Sequence, residues 1–287
     1  MIADLSQTAM KQKSSRKYKD TLFRTLFREK ERAVELCNAV AGTDYPSDAP
    51  VILCDTENTL LRRYNDLAFA IEAQLIVMFE HQSTINPNMP LRFLQYIADV
   101  LYSWFVGIGE IYRSTVLKIP APQFYVLYNG KDALRQNVLK LSDAFKIMPT
   151  GPSMELTVKI LDVNHGSGCE ALSKSESLGG YAYLVAQIRG FENKGQNRDR
   201  AIKNGISKCI NEGVLVDFLR ENFEEVAKML AWEYDQDAEF RIIMEEGMEK
   251  GMVRGREETI IETALEMFKD GFSADKISRY VKCPLIG

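Results

Sequence analysis

Two acidic residues stand at the ends of otherwise apolar stretches. Asp66 precedes Leu67-Ala68-Phe69-Ala70-Ile71, and Glu80 follows Leu75-Ile76-Val77-Met78-Phe79. Asn65–Ile71 and Leu75–Gln82, rich in apolar, β-branched and aromatic residues, read as two strands. If Glu72-Ala73-Gln74 forms a three-residue hairpin loop, Ile71 faces Leu75, and counting outward sets Asp66 opposite Glu80. Opposed residues on neighbouring strands share a face, with Cβ atoms roughly 4.5–5.5 Å apart. Gln82, two residues beyond Glu80, falls on that face as well. A slip of one residue would undo the arrangement, so it depends on the loop length.

A carboxylate in apolar surroundings needs a partner, because a desolvated charge without one is costly. A hard divalent cation is such a partner: Mg²⁺ (or Mn²⁺) takes one or two carboxylates together with waters and phosphate oxygens. So held, it activates water and stabilises the charge that develops on a phosphodiester. The backbone carbonyl of His81, between Glu80 and Gln82, is a further candidate ligand. The His81 side chain points to the opposite face, which fits a residue that fixes the strand end better than a general base.

The elements around this pair follow from hydrophobic spacing. From Tyr18 to Val40, Leu22, Phe23, Leu26, Phe27, Val34 and Leu36 recur at helical intervals, and Gly42 ends the helix. A short strand is expected at Val51–Leu53, and Ser83–Asn88 is a loop. Pro90 suits the first turn of a helix, whose buried stripe is read as Leu91, Leu94, Ile97, Ala98, Leu101 and Phe105. Strands are expected at Gln123–Tyr128, stopped by Asn129-Gly130, and at Leu156–Val163. The helix between strands can serve as a crossover joining two parallel strands, which predicts α/β architecture with a mixed central sheet flanked by helices. From Leu178 onward the pattern is helical.

This reading divides the chain into a flexible basic arm (1–15), an α/β core (16–170), a helical region (171–244) and a charged tail (245–287). Gly247, Gly251 and Gly255 recur four apart among charged residues in the tail, which reads as an exposed marginal helix or a linker. Ser273 is a plausible N-cap for a short helix, Ala274–Val281. Helix-turn-helix pairs and ordinary helical hairpins both look like this.

Composition narrows the function classes. The chain has 287 residues with a formal net charge of -4, so nucleic-acid binding would have to rely on a local patch. Lys11, Lys13, Arg16, Lys17, Lys19, Arg24 and Arg28 form one such cluster, which also reads as a solvated arm. Five scattered cysteines without CxxC spacing argue against a disulfide framework or a zinc site. Two histidines leave no room for a histidine-rich metal centre, and there is no convincing Ser/His/Asp set. No phosphate-binding glycine loop is present. Met1 is not followed by a long apolar run, and the most apolar windows are too short or too charged to span a bilayer. A cytoplasmic protein with no membrane partner is expected.

The run Phe79-Glu80-His81-Gln82-Ser83-Thr84-Ile85-Asn86-Pro87-Asn88-Met89-Pro90-Leu91-Arg92, with Asn65-Asp66 upstream, resembles the signature of the Rpn family of recombination-promoting nucleases and transposases, within the PD-(D/E)XK nuclease group. The resemblance extends to Tyr18-Lys19-Asp20-Thr21-Leu22-Phe23, to Phe124-Tyr125-Val126-Leu127-Tyr128-Asn129-Gly130, and to the glycine-repeat tail, and so covers most of the chain. It implies a restriction-endonuclease-like core that cuts DNA with a divalent metal, in recombination or on mobile DNA. Asp66 and Glu80 would take the places of the group's two acidic metal ligands. Gln82 stands where the group usually has Lys; it cannot act as a cation on the scissile phosphate, though it can orient water or a phosphate oxygen.

Arg92 has two readings, a phosphate clamp or a surface ion pair. Tyr96 reads as core, and Asp20 and Glu35 as helix-surface carboxylates rather than further acidic groups at the metal. The sequence thus supports a Mg²⁺-dependent DNA endonuclease built on Asp66, Glu80, Gln82 and Arg92. Its rival is a catalytically inactive nuclease fold that serves as a DNA-binding or assembly module and associates with itself or with a nucleic-acid complex through its helical C-terminal half.

Overall fold

The computed structural model describes residues 22–54, 67–106, 109–147, 150 and 153–281. The chain divides into two compact units, Met1–Trp232 and Glu233–Gly287.

Among the described residues, the first in chain order are two short helices, α1 (Leu22–Phe27) and α2 (Lys30–Ala41). The single helix expected over Tyr18–Val40 is therefore broken: Glu29 is extended, with ψ 132°. The apolar spacing explains the break. A continuous stripe from Phe27 to Val34 would need an apolar residue at 30 or 31, where Lys30 and Glu31 stand. Splitting the helix lets Leu22, Phe23, Leu26 and Phe27 bury separately from Ala33, Val34, Leu36 and Cys37. Gly42 ends α2 in the left-handed region at φ 71°.

Six strands follow among the described residues: β1 (Val51–Leu53), β2 (Leu67–Ile71), β3 (Leu75–Gln82), β4 (Ala121–Tyr128), β5 (Val138–Lys140) and β6 (Thr157–Asp162). They form one mixed sheet in the order β1-β2-β3-β4-β6-β5. The β1–β2, β2–β3 and β5–β6 pairs are antiparallel, whereas β3–β4 and β4–β6 are parallel. Between β2 and β3, Ile71 faces Leu75 and Leu67 faces Phe79. The loop holding this register places Glu72 and Ala73 at φ 48° and 52°, and Gln74 N donates to Ile71 O at 3.0 Å. Two successive left-handed residues give a turn whose twist matches that of the strands.

Parallel strands need a crossover. Here it is α3 (Met89–Val100), continued by a π-helical turn, Leu101–Phe105. Its buried face is Met89, Phe93, Tyr96, Ile97 and Val100. The expected stripe was rotated from this one: Leu91 and Ala98 are exposed, while Leu94, Leu101 and Phe105 flank the core. Those residues share an apolar core with Ala68, Ala70, Ile76, Met78, Phe124, Val126, Tyr128, Val158 and Ile160 on one face of the sheet.

The opposite face carries Phe69, Phe79 and Tyr125, whose rings contact one another. Helix α1 and a long helix, α5 (Glu176–Asn193), reach this face through Phe23 and Tyr181, both packed on His81. Short α4 (Glu170–Lys174) precedes α5, and α6 (Arg198–Asn211) and α7 (Val216–Glu221) follow it. The described architecture is α/β, a mixed six-stranded sheet flanked by helices.

Helix α8 (Phe223–Lys269) supplies most of the second unit, followed by a turn at Gly271 and by α9 (Ala274–Val281). The glycine repeat lies inside α8, so the chain there is helical and not a linker. Among the described residues, no helix is long and apolar enough to cross a membrane.

Candidate functional site

Alternation along β3 decides which side chains meet. Ile76 and Met78 enter the core beneath α3, so Glu80 and Gln82 project from that same face. Their partners on β4 are Val126 and Tyr128. The pair therefore stands at the carboxyl end of a parallel strand, where open α/β sheets place their ligand sites. Asp66 lies outside the described residues, as do Asp20 and the basic arm; the β2–β3 register is described as far as Leu67 opposite Phe79.

The Glu80 carboxylate is nearly enclosed, and it is compensated from within the chain. Arg92 Nη2 donates to Glu80 Oε2 at 3.0 Å, with the Glu80 side chain 5% exposed and that of Arg92 37% exposed. The guanidinium is thus the solvent-side member of the pair. Tyr96, one turn further along α3, accepts from Arg92 Nε at 3.0 Å and from Nη2 at 2.9 Å. Tyr96 is core, as expected, and also braces the arginine. Arg92 is neither a simple surface pair nor turned away from the site: it meets a buried carboxylate.

Gln82 is held at both ends of its amide. Asn86 N donates to Oε1 at 3.2 Å, and Nε2 donates to Met89 Sδ at 2.9 Å. Arg92 Nη1 approaches the same sulfur at 3.5 Å. Met89 thus joins Gln82 to Arg92, a role that the sequence reading did not give it. Its spacing was the available signal, since Met89, Arg92 and Tyr96 stand at i, i+3 and i+7 on one helix face.

His81 faces the other side of the sheet. Its ring stacks on Phe23 at 5.1 Å between centroids and meets Tyr181 edge-on at 5.3 Å. Its Nε2 lies 3.2 Å from the Tyr181 hydroxyl. Burial of the ring, with the nearby charge of Arg189, pushes its pKa down to about 4, so it is neutral at pH 7 and fixes the strand end. The backbone places its carbonyl elsewhere. Gln82 O accepts from Asn129 N on the β4 side, so the preceding carbonyl, that of His81, is directed to the β2 side.

Glu35 is corrected as well. Its carboxylate accepts from Ser177 N at 3.2 Å and Ser177 Oγ at 2.8 Å, and so caps the first turn of α5. It is committed to holding α2 against α5.

No family model, no curated protein and no solved structure matches the chain. The site is therefore read from its own chemistry.

The Glu80 carboxylate, the Gln82 amide and the His81 carbonyl make an all-oxygen donor set, which suits a hard cation and not zinc or copper. Against this, no group of three or more His, Cys, Asp or Glu side chains that could hold a metal is found among the described residues. The charge that a cation would neutralise is also already met by Arg92. The donors fit Mg²⁺ by type, on condition that Asp66 joins them and Arg92 yields. A hollow of about 670 Å³ in the first unit is lined by residues between His165 and Leu215 and includes none of Glu80, Gln82 or Arg92. Chemistry, not cavity size, selects the Glu80 cluster.

Proposed function

We propose that the protein is a divalent-metal-dependent DNA endonuclease with a restriction-endonuclease-like core, acting in the cytoplasm in recombination or on mobile DNA. One observation carries the proposal: a nearly enclosed carboxylate, Glu80, stands with Gln82 on one face at the carboxyl end of parallel strand β3. The resemblance of residues 79–92 to the Rpn signature joins it.

In this reading Glu80 and Asp66 hold the cation, and the His81 carbonyl completes the set from the backbone. A bound divalent cation would polarise a phosphate oxygen and lower the pKa of a water. Gln82 orients a water or a phosphate oxygen through its amide, which Asn86 N and Met89 Sδ keep in one rotamer. Arg92 begins paired to Glu80, and its solvent-side guanidinium is the group placed to take a phosphate once the cation claims the carboxylate.

The test is a plasmid assay with Mg²⁺ or Mn²⁺. Wild-type protein should nick or linearise DNA, and Asp66→Ala and Glu80→Ala should each abolish this. Cleavage that survives both substitutions overturns the site. A second reading, a fold retained for binding DNA or for self-association without cleavage, is favoured by the pre-existing Glu80–Arg92 pair and the tethered Gln82. DNA retained without cleavage in any metal would select it.

A further inference from the structure

A second polar cluster lies on the other face of the sheet, at the carboxyl ends of β4 and β6. It borders a cavity of about 260 Å³ between those strand ends and α5. Small residues on α5 make the room: Ala182, Ala186 and Gly190 recur at four-residue spacing along the wall. A Cβ built on Gly190 would meet nothing within 4 Å. Val163 and Val185 complete the apolar lining, and the exposed His165 and Asn193 mark its solvent side.

Arg189 supplies the charge, and its partners are all neutral. Nη1 donates to Asn164 Oδ1 at 2.8 Å, and Nη2 donates to the backbone carbonyl of Asn129. Its Nε is buried with no hydrogen-bond partner, as is Oδ1 of the buried Asn129. No carboxylate pairs with Arg189 among the described residues. Asp162 reaches it only through Asn164, whose Nδ2 donates to Asp162 Oδ1 at 2.8 Å. A partly buried guanidinium held in place by amides, with donors to spare, is a pre-organised site for an oxyanion. Two parallel strands ending at the same cavity put it where α/β sheets bind ligands.

We infer that this cavity binds a phosphoryl oxyanion, with Arg189 as its principal ligand and Asn193 and His165 as donors on the solvent side. The site is independent of the Glu80 reading, although the two share a sheet edge: Asn129 N donates to Gln82 O at 3.0 Å. The phosphate has two sources, free inorganic phosphate or the backbone of a polynucleotide laid along that edge.

The full chain is titrated with inorganic phosphate at constant ionic strength, with the Arg189 Nε–H resonance and the thermal midpoint as readouts. Saturable binding is expected in wild type, and at least tenfold weaker binding in Arg189→Met. Arg189 also ties the two strand ends together, so Gly190→Leu is the second variant. It fills the cavity, keeps Arg189 and raises helix propensity, and it should abolish binding without loss of the thermal midpoint. A parallel arm measures oligonucleotide affinity against salt. If the backbone is the source, Arg189→Met makes the log–log slope less negative by about 0.7–0.9; if free phosphate is, the slope is unchanged while phosphate binding is lost. The inference is overturned if wild type neither binds phosphate nor changes slope on substitution of Arg189, or if Gly190→Leu binds as wild type does. Failure of the plasmid assay leaves these outcomes unaffected.

Discussion

His81 should govern how the protein responds to mild acid. Its folded-state pKa is pushed down to about 4 by burial of the ring and by Arg189, against about 6.5 in an unfolded chain. The unfolded chain therefore takes up the proton first as pH falls. The contribution of His81 is complete above about pH 6.5, declines below it and is gone once the pH has passed through about 4. At about 1.4 kcal/mol per pH unit, that gap amounts to about 3 kcal/mol. Two other groups titrate lower. Glu155 is held below the usual carboxylate range by the Ser142 hydroxyl, and Glu170 by its hydrogen bond to Lys174. Both are fully ionised above their ordinary range, and both lose their contribution only as the pH falls beneath it. Urea unfolding of wild type and His81→Phe at a series of pH values from 7 to about 4.5 reads out His81 by difference. His81→Phe keeps the stack on Phe23 and gives up the contact with the Tyr181 hydroxyl, at a cost of about 1 kcal/mol at pH 7. Wild type should lose most of the 3 kcal/mol across the window, and the variant should be nearly flat. Parallel curves for the two proteins would refute the reasoning.

Two further outcomes are expected. Because Glu80 is enclosed and Arg92 half-exposed, Arg92→Met should destabilise by about 2 kcal/mol, between the values of surface and buried pairs. Glu80→Met with Arg92→Met should recover most of that loss in a double-mutant cycle of urea unfolding, and a coupling below about 0.5 kcal/mol would show that the pair is incidental. At Gly130, an added Cβ would collide with the Ser83 carbonyl and the Tyr128 hydroxyl, so Gly130→Ala should cost about 1–3 kcal/mol. An unchanged thermal midpoint in that variant would mean that the β3 and β4 strand ends are less closely joined than the structure shows.

The strands were legible because their signal is local. An unbroken apolar run fixed β3 at Leu75–Gln82, and loop length alone set Ile71 against Leu75. The crossover helix was legible in position but not in phase. Leu91 and Ala98 are apolar yet exposed, while Tyr96 and Arg92 carry polar groups yet turn toward the sheet. Hydrophobicity ranks the wrong residues inward there, because a buried carboxylate draws polar partners to the core face. Strand β5 escaped notice because three residues, Val138–Lys140, carry no period. At the site, the sequence showed that Glu80 needs a counter-charge and assigned that part to a metal. Arg92, twelve positions on, provides it first. Asp66 lies outside the described residues.

Glu80, Gln82, Met89, Arg92 and Tyr96 all come from seventeen consecutive residues. The contacts among them close loops of at most about a dozen residues, a step that takes on the order of 10–100 ns, whereas β3 meets β4 only after the chain has travelled from Gln82 to Ala121. Low sequence separation favours early formation. The ion pair and its helix can therefore assemble as a native-like kernel onto which β4 later docks, so Glu80, Gln82 and Arg92 double as the seed of the sheet's parallel half.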